Sequence, residues 1–483
     1  PGMEAQKKVI GSLAIVILGA GYAVVLSMAG LLPDIFVKNP DLEAHYTELE
    51  QHRARQRQSS PESADIPASE AQTVEQPVAN SNTSAEAPTI PPPPKVWRNY
   101  WTDYRGPNRD GRYDELRVLA TWPASGPPEL WRQPVGGGYA SFVVAEGVAY
   151  TIEQRREKEV VAAYDVETGR EIWTHGWNAS FVESMGGDGP RATPTWNEGR
   201  IYALGATGEF RCLDARTGKA IWGRNILTDN RAQNLEWGMA ASPLVVDDKV
   251  IVLPGGSPGR SVVAYNRLTG EPVWRSLDDR QAYVSPMLVR LAGQRQIVVV
   301  TSRRVVGLTV EKGALLWEYP WETSMGINCS QPIAISENRL FISSGYGKGA
   351  AVIEIIKDGN GYSAKTVWEN TNMKNKFNSS VYHEGYIYGL DEGILCCVDA
   401  ATGERKWKGG RYGYGQVLLA GSNLVVISDA GDLALVKAAP DQHTELVRFA
   451  ALEGKTWNYP AIAGGRLLVR NTMTMACYNI SAN

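Results

Sequence analysis

Cys396 and Cys397 stand side by side in the chain, two thiols in adjacent positions. Three more cysteines, Cys212, Cys329 and Cys477, make the number odd, so an exported chain would keep at least one free thiol. Neither the cysteines nor the five histidines show C-x-x-C or H-x-x-x-H spacing, and no metal site is expected. A second set of candidates lies in eight short runs that align with one another: YASF (139–142), RATP (191–194), AASP (240–243), YVSP (283–286), CSQP (329–332), NSSV (378–381), YGQV (414–417) and WNYP (457–460). Their first column reads Tyr139, Arg191, Ala240, Tyr283, Cys329, Asn378, Tyr414, Trp457; their third reads Ser141, Thr193, Ser242, Ser285, Gln331, Ser380, Gln416, Tyr459. If each run opens a strand facing a common axis, residues two apart share a face and the columns become stacked rings. Tyr139, Arg191, Tyr283, Asn378, Tyr414 and Trp457 would then form an aromatic, polar mouth, with the Arg191 cation able to hold an anionic ligand. The competing reading is that hydroxyls and amides only satisfy channel water and neighbouring backbone. No Asp, Glu or His falls in either ring, so no catalytic residue is assigned; Asp188 and Glu236 come near only as loop residues.

The elements that must position these runs are repeats. A unit of apolar strand, D-x-x-T-G, three residues and Trp appears at Asp165 to Trp173 and Asp214 to Trp222, with variants at Asn266 to Trp274, Thr309 to Trp317 and Asp399 to Trp407. Asp or Asn bonds the turn backbone and Gly takes its positive φ, which makes each unit a hairpin with Trp on the returning strand. Trp368 follows a looser turn, and Phe449 stands where the last Trp is expected. Three strand-like pieces after Phe449 lack an outer strand, and the orphan segment around Trp131 could supply it. Pairing the two would close a ring of eight four-stranded blades and leave no sheet edge between blades, with seven blades as the alternative. The expected fold is therefore all-β, an eight-bladed β-propeller over 129–483, behind a lead-in segment at 96–128.

This repeat resembles that of pyrroloquinoline-quinone (PQQ) repeat propellers, a family that includes quinoprotein dehydrogenases and the propeller lipoprotein of the outer-membrane protein assembly machinery. The lead-in YRGPNRDG (104–111) resembles the start of bacterial quinone-binding-like sets. The dehydrogenase side of the resemblance implies PQQ with Ca²⁺, cations for the cofactor carboxylates, carboxylate ligands for the metal and an acidic base. It also implies a vicinal disulfide beside the cofactor. The repeat alignment argues against that bridge: Cys212, Cys397 and Cys477 share a slot that elsewhere holds Ala163, Ala264 or Gly307, the place of a compact apolar filler. Neighbouring strand residues also point to opposite faces.

Residues 9–33 (VIGSLAIVILGAGYAVVLSMAGLLP) carry no charge, and twenty-five residues make a helix of about 37 Å, long enough to cross a bilayer core. Lys7 and Lys8 precede the run and Asp34, Asp41 and Glu43 follow it, which predicts residues 1–8 in the cytoplasm and the bulk outside. A cleaved signal peptide is the alternative, though its apolar core would be shorter. Within 34–95, residues 41–58 are predicted as a short polar helix and the Pro- and Ser-rich 59–94 as a tether. The net charge of −3 advertises no face for nucleic acid.

Together these readings predict a single-pass bacterial inner-membrane protein with a periplasmic propeller, acting as an interaction scaffold or accessory subunit for periplasmic or membrane-embedded protein partners. A PQQ-dependent alcohol or sugar dehydrogenase and a non-catalytic small-molecule binder are the alternatives. No cofactor is assigned, with PQQ and Ca²⁺ left open by the resemblance.

Overall fold

In the turn that ends the third strand of each regular unit, one polar side chain, Asp165, Asp214, Asn266, Thr309 or Asp399, bonds the turn backbone. Asp214 Oδ1 accepts from Thr217 N (2.8 Å) and Thr217 Oγ1 (2.7 Å), Gly218 N donates to Asp214 O (2.8 Å), and Gly218 sits at φ 70°. A β-bulge follows, so that Trp222 pairs with Cys212 rather than one residue off. The same arrangement pairs Trp173 with Ala163, Trp274 with Ala264, Trp317 with Gly307 and Trp407 with Cys397. The computed structural model describes residues 40–58, 96–359 and 361–482, in which these units form eight sheets, each with four antiparallel strands running outward from an inner one. The chain is an eight-bladed β-propeller. We number the blades from the first complete unit: blade 1 (143–178), 2 (195–225), 3 (244–276), 4 (287–320), 5 (333–370), 6 (381–411), 7 (416–450) and 8, which combines 461–479 with 129–134.

Each turn is clasped by the preceding blade. The indole N–H groups of Trp131, Trp173, Trp222, Trp274, Trp368 and Trp407 donate to Val166, Ala215, Arg267, Val310, Ala400 and Ala439, all in the next blade, at 2.8 to 3.2 Å. The turn glycine lies against that indole: a Cβ on Gly270 (φ 73°) would stand 2.7 Å from the Trp222 ring. Blade 5 has no such turn, because its outer strands Gly349–Asp358 and Gly361–Asn370 form one long hairpin, and Trp317 donates instead to Gln296 Oε1 within its own blade (2.6 Å). Phe449 does not occupy the anchor position assigned to it. The bulge of blade 7 lies between Leu435 and Val436, so Val447 takes the anchor place, while Phe449 packs edge-on against Trp122 and Tyr478.

Apolar residues fill the spaces between blades. Cys396 belongs to the core between blades 5 and 6 and Cys397 to the one between blades 6 and 7, so their side chains face opposite ways. Both are free thiols, and burial pushes each up to about 12. The ring closes as the repeat count implied, with Glu129–Pro134 antiparallel to Thr474–Asn479 and Trp131 opposite Cys477.

By contact density the chain divides into residues 1–47 and 48–483. The predicted polar helix spans Pro40–Gln58, with Asp41 and Glu43 in its first turn and Arg55 and Arg57 in its last, the order that suits the helix dipole. From Glu48 on it belongs with the propeller. Its Arg53 is 2% exposed and donates to Gln133 Oε1 (2.6 Å) and Pro134 O (2.8 Å), lies 4.9 Å over the Tyr164 ring and pairs with Glu171 at 3.5 Å. These contacts straddle the seam of blades 8 and 1, where burial pushes the Glu153 carboxyl up but Arg155, Arg470 and Arg53 outweigh it and hold it at about 2. Residues 9–33 and 59–94, read as membrane span and tether, lie outside the described residues. Among the described residues no helix is long and apolar enough to cross a membrane.

The lead-in segment threads across the axis, a role its sequence did not announce. It bonds blade 1 (Val144 N to Trp101 O, 2.8 Å) and blade 2 (Trp196 N to Thr102 O, 2.9 Å), then leaves as the strand Arg112–Tyr113, parallel to the inner strand of blade 7. Between these, Arg109 donates to Ser242 O (3.1 Å), Pro243 O and Pro286 O (2.9 Å) of blades 3 and 4, and to Asp103 Oδ1 (3.0 Å). Arg105 reaches Ser380 O (2.7 Å) in blade 6 and lies 4.6 Å over the Tyr459 ring of blade 8. Both arginines hold positive φ (66° and 57°), a backbone cost of about 1 kcal/mol each that the ring carbonyls offset. These bonds meet the inner strands beyond their first residues, so the plug closes one end of the axis and the first column faces the other.

Three outcomes follow from these contacts. Gly270→Ala should cost about 2 kcal/mol in urea unfolding through ring contact and left-handed backbone, against about 1 kcal/mol for Gly293→Ala, where a Cβ meets nothing within 4 Å. Arg109→Ala strips a buried guanidinium from Asp103 and three carbonyls and should lose roughly 3 kcal/mol, read as a fall in melting temperature that Arg112→Ala does not share. Because its folded pKa is depressed, Glu153 stabilises the protein above the ordinary carboxyl value of 4.5 and loses that contribution as pH falls towards about 2. Glu153→Gln should therefore be weaker by about 3 kcal/mol at pH 7 and lack this component of the acid-side slope in pH-dependent unfolding.

Candidate functional site

The axial runs are not strand in their first residues; regular strand begins at Val143, Thr195, Leu244 and Met287, after the aligned tetrapeptides. The stacked-ring expectation is corrected accordingly. Deprived of ladder partners, these backbones lace sideways to the next blade. Ser141 N donates to Thr193 Oγ1 (2.9 Å), Ser242 N to Ser285 Oγ (2.9 Å), Tyr283 N to Asn328 O (3.0 Å) and Gln331 N to Ser379 Oγ (2.9 Å). Gln331 Nε2 also donates to Ser285 O (2.9 Å), and Ser141 Oγ to Tyr459 O (2.6 Å). The whole third column is buried and most of its hydroxyls and amides serve the backbone; in blade 6 the brace is Ser379, while Ser380 Oγ donates to Asn375 Oδ1 (2.8 Å).

The first column lines a recess at the end opposite the plug. Tyr139, Arg191, Tyr283, Tyr414 and Trp457 are half-buried around it. Tyr139 OH donates to Gly186 O (2.6 Å), and its ring lies 5.6 Å from Trp457. Burial pushes the Tyr139 and Tyr283 hydroxyls up to about 12, which keeps them neutral donors. Arg191 donates to Gly187 O and Gly189 O of the loop before its own run, and its guanidinium stands 5.5 Å over Tyr139 and 4.6 Å over Phe181. Asn378 is brought near but sealed in, 1% exposed, its Oδ1 accepting from Asn375 Nδ2 (3.0 Å).

Sequence alignment missed the residues just ahead of the runs. Lys376 and Phe377 precede Asn378, and Lys455 precedes Trp457 by two; the columns began too late to include them. Phe377 stands 5.1 Å from Trp457 and 5.4 Å from Tyr414, which extends Tyr139 and Trp457 into a continuous aromatic arc. Lys455 Nζ lies 3.7 Å over Trp457, and Lys376 Nζ 4.9 Å over Tyr414. Aromatic rings thus stand beside three cations, Arg191, Lys376 and Lys455, two of which lie outside the aligned columns.

A quinone cofactor with Ca²⁺ makes demands that these residues do not meet. Of the carboxylates beside the mouth, Glu183 accepts from Met185 N (2.9 Å) and Gly186 N, Asp188 accepts from Glu183 N (3.0 Å), and Glu236 stands exposed near the Tyr283 hydroxyl. Among the described residues no three His, Cys, Asp or Glu side chains converge to hold a metal. The adjacent cysteines lie in the inter-blade cores, away from the axis. The donor set does not fit the group.

Comparison with known proteins agrees with the repeat. A family profile described as outer membrane protein assembly factor BamB matches residues 113–240 and 156–409. BamB of Yersinia pestis is 23% identical over 317 residues, covering 63% of this chain and 73% of that protein. The quinohemoprotein alcohol dehydrogenase of Comamonas testosteroni is 31% identical over 147 residues, 29% of this chain, and the match spans only 20% of the dehydrogenase. Among solved structures, BamB from Moraxella catarrhalis superposes with a TM-score of 0.53 at 15% identity, covering 74% of this chain and 98% of that one, a likeness of fold. With repeats, ring closure and profile in agreement across most of the propeller, the chain belongs to the PQQ-repeat propeller family described as outer membrane protein assembly factor BamB.

Proposed function

We propose that this chain is a non-catalytic interaction propeller, an accessory subunit of a membrane-protein assembly complex in the bacterial envelope. The observation that carries the reading is the state of the axis. One end is closed by the chain's own Arg105 and Arg109, and the other is a shallow recess of aromatic rings and cations with no free acid or base pair. Such a recess can bind, and its donor set offers no proton relay for turnover. The outer membrane protein assembly factors that the chain matches over most of their length support the same role. The uncharged run 9–33, with lysines before it and carboxylates after it, supports an inner-membrane anchor with the propeller in the periplasm.

Affinity purification of the full chain from detergent-solubilised native membranes should retain a stoichiometric protein partner. Recovery of a partner-free monomer, together with quinone- and Ca²⁺-dependent dye reduction in the presence of an alcohol, would overturn the proposal in favour of the dehydrogenase alternative.

A further inference from the structure

Lysine and arginine side chains inside this protein are mostly matched. Arg109 has Asp103, Arg304 has Asp279, Lys374 and Lys408 share Asp391, and Arg155 has Glu153. The mouth breaks that habit. Arg191, Lys376 and Lys455 have no carboxylate within ion-pair distance among the described residues, and each lies on aromatic faces instead. Lys455 Nζ spends itself on two carbonyls, Gly186 O (2.6 Å) and Met185 O (3.2 Å). A cation resting on a ring keeps most of its electrostatic reach, while the ring offers a flat apolar surface beside it.

Behind the aromatic arc, Gln416 Nε2 donates to Phe377 O (3.2 Å) and Trp457 O (2.9 Å), which holds the two ring-bearing backbones together. A further observation points to an occupant. Outside the arc, the loops that lead into the axial runs expose Met185 (70%), Met325 (60%) and Val182 (58%), an apolar collar of adaptable side chains. From Tyr414 a cleft of about 340 Å³ runs on, lined by Arg411, Arg448 and Tyr412 together with Glu392, Asp429 and Asp432, so the cations free to meet an acidic group are those of the arc. A small anion would use only the arc, whereas collar, arc and cleft together offer a track for an extended chain.

We propose that the mouth receives an extended, acidic segment of a partner protein, with a carboxylate among Arg191, Lys376 and Lys455 and an apolar or aromatic side chain laid on Tyr139, Trp457 and Phe377. This deepens the interaction-propeller reading and rests on it.

The test uses the full chain in detergent and a fluorescent peptide of repeated Glu-Phe-Gly-Ser units, with a Lys-Phe-Gly-Ser peptide and phenylacetate as comparisons. The acidic peptide should bind, lose affinity with rising salt, and weaken about tenfold in each of Lys376→Ala and Lys455→Ala, with melting temperature unchanged. Equal binding of the basic peptide, or unchanged affinity in the double variant, overturns the assignment. Phenylacetate displacing the peptide at comparable affinity would make the site one for a small anion and likewise overturn it. Native purification of the same variants separates the two readings. A partner retained by wild type and double variant alike refutes the mouth and leaves the scaffold standing, and a partner retained by neither refutes the scaffold.

Discussion

The contact between an indole and the turn glycine of the next blade sets the geometry on which everything else rests. A blade is a small twisted sheet with two apolar faces, and it is stable only when both are covered by neighbours. The tryptophan covers one seam and, through its N–H, fixes the neighbour's turn at a single height. Repeated from Trp131 to Trp407, that contact spaces the blades so that their innermost backbones approach closely enough to exchange hydrogen bonds across the axis. Blade 5 is the informative exception. Lacking the turn, it leaves Trp317 to find Gln296, and its seam is made by the long hairpin, where Tyr319 OH meets Thr366 Oγ1 at 2.8 Å.

Features governed by neighbours in sequence were legible without coordinates. An Asp three residues before a Thr, followed by Gly, dictates its own turn, and so the blades could be counted and the orphan strand at Trp131 matched to Cys477. The cysteine slot was legible for the same reason. Register was not: the bulge in blade 7 moves the anchor to Val447, and spacing alone gives no sign of where a strand bulges. The plug was still less accessible. Arg109 earns its place through carbonyls from blades separated by many residues, and nothing about an Arg in a polar lead-in announces a buried role. At the mouth, the alignment found the rings but began its columns after Lys376 and Lys455, because lysines in connecting loops look like solvated surface.

The axis has two unlike ends, and the difference follows from what each end is built of. At the plugged end the inner strands present carbonyls, which attract guanidinium groups from the chain itself. At the open end four of the inner runs begin with an aromatic residue, Tyr139, Tyr283, Tyr414 and Trp457, and cations rest on the rings of Tyr139, Tyr414 and Trp457. A pseudosymmetric ring thereby acquires a direction, closed on one side by its own chain and lined on the other by rings and cations.

The seam of blade 8 also fixes an order of events. Glu129–Pro134 is made long before Thr474–Asn479, the strand with which it must pair. Until then the growing chain is an open arc with two bare strand edges and an axis that cannot yet grip Arg105, since Ser380 and Tyr459 arrive late. Until those two strands meet, the propeller is an adhesive intermediate. Thr474–Asn479 works as its latch, and the closed ring depends on a strand made long after its partner.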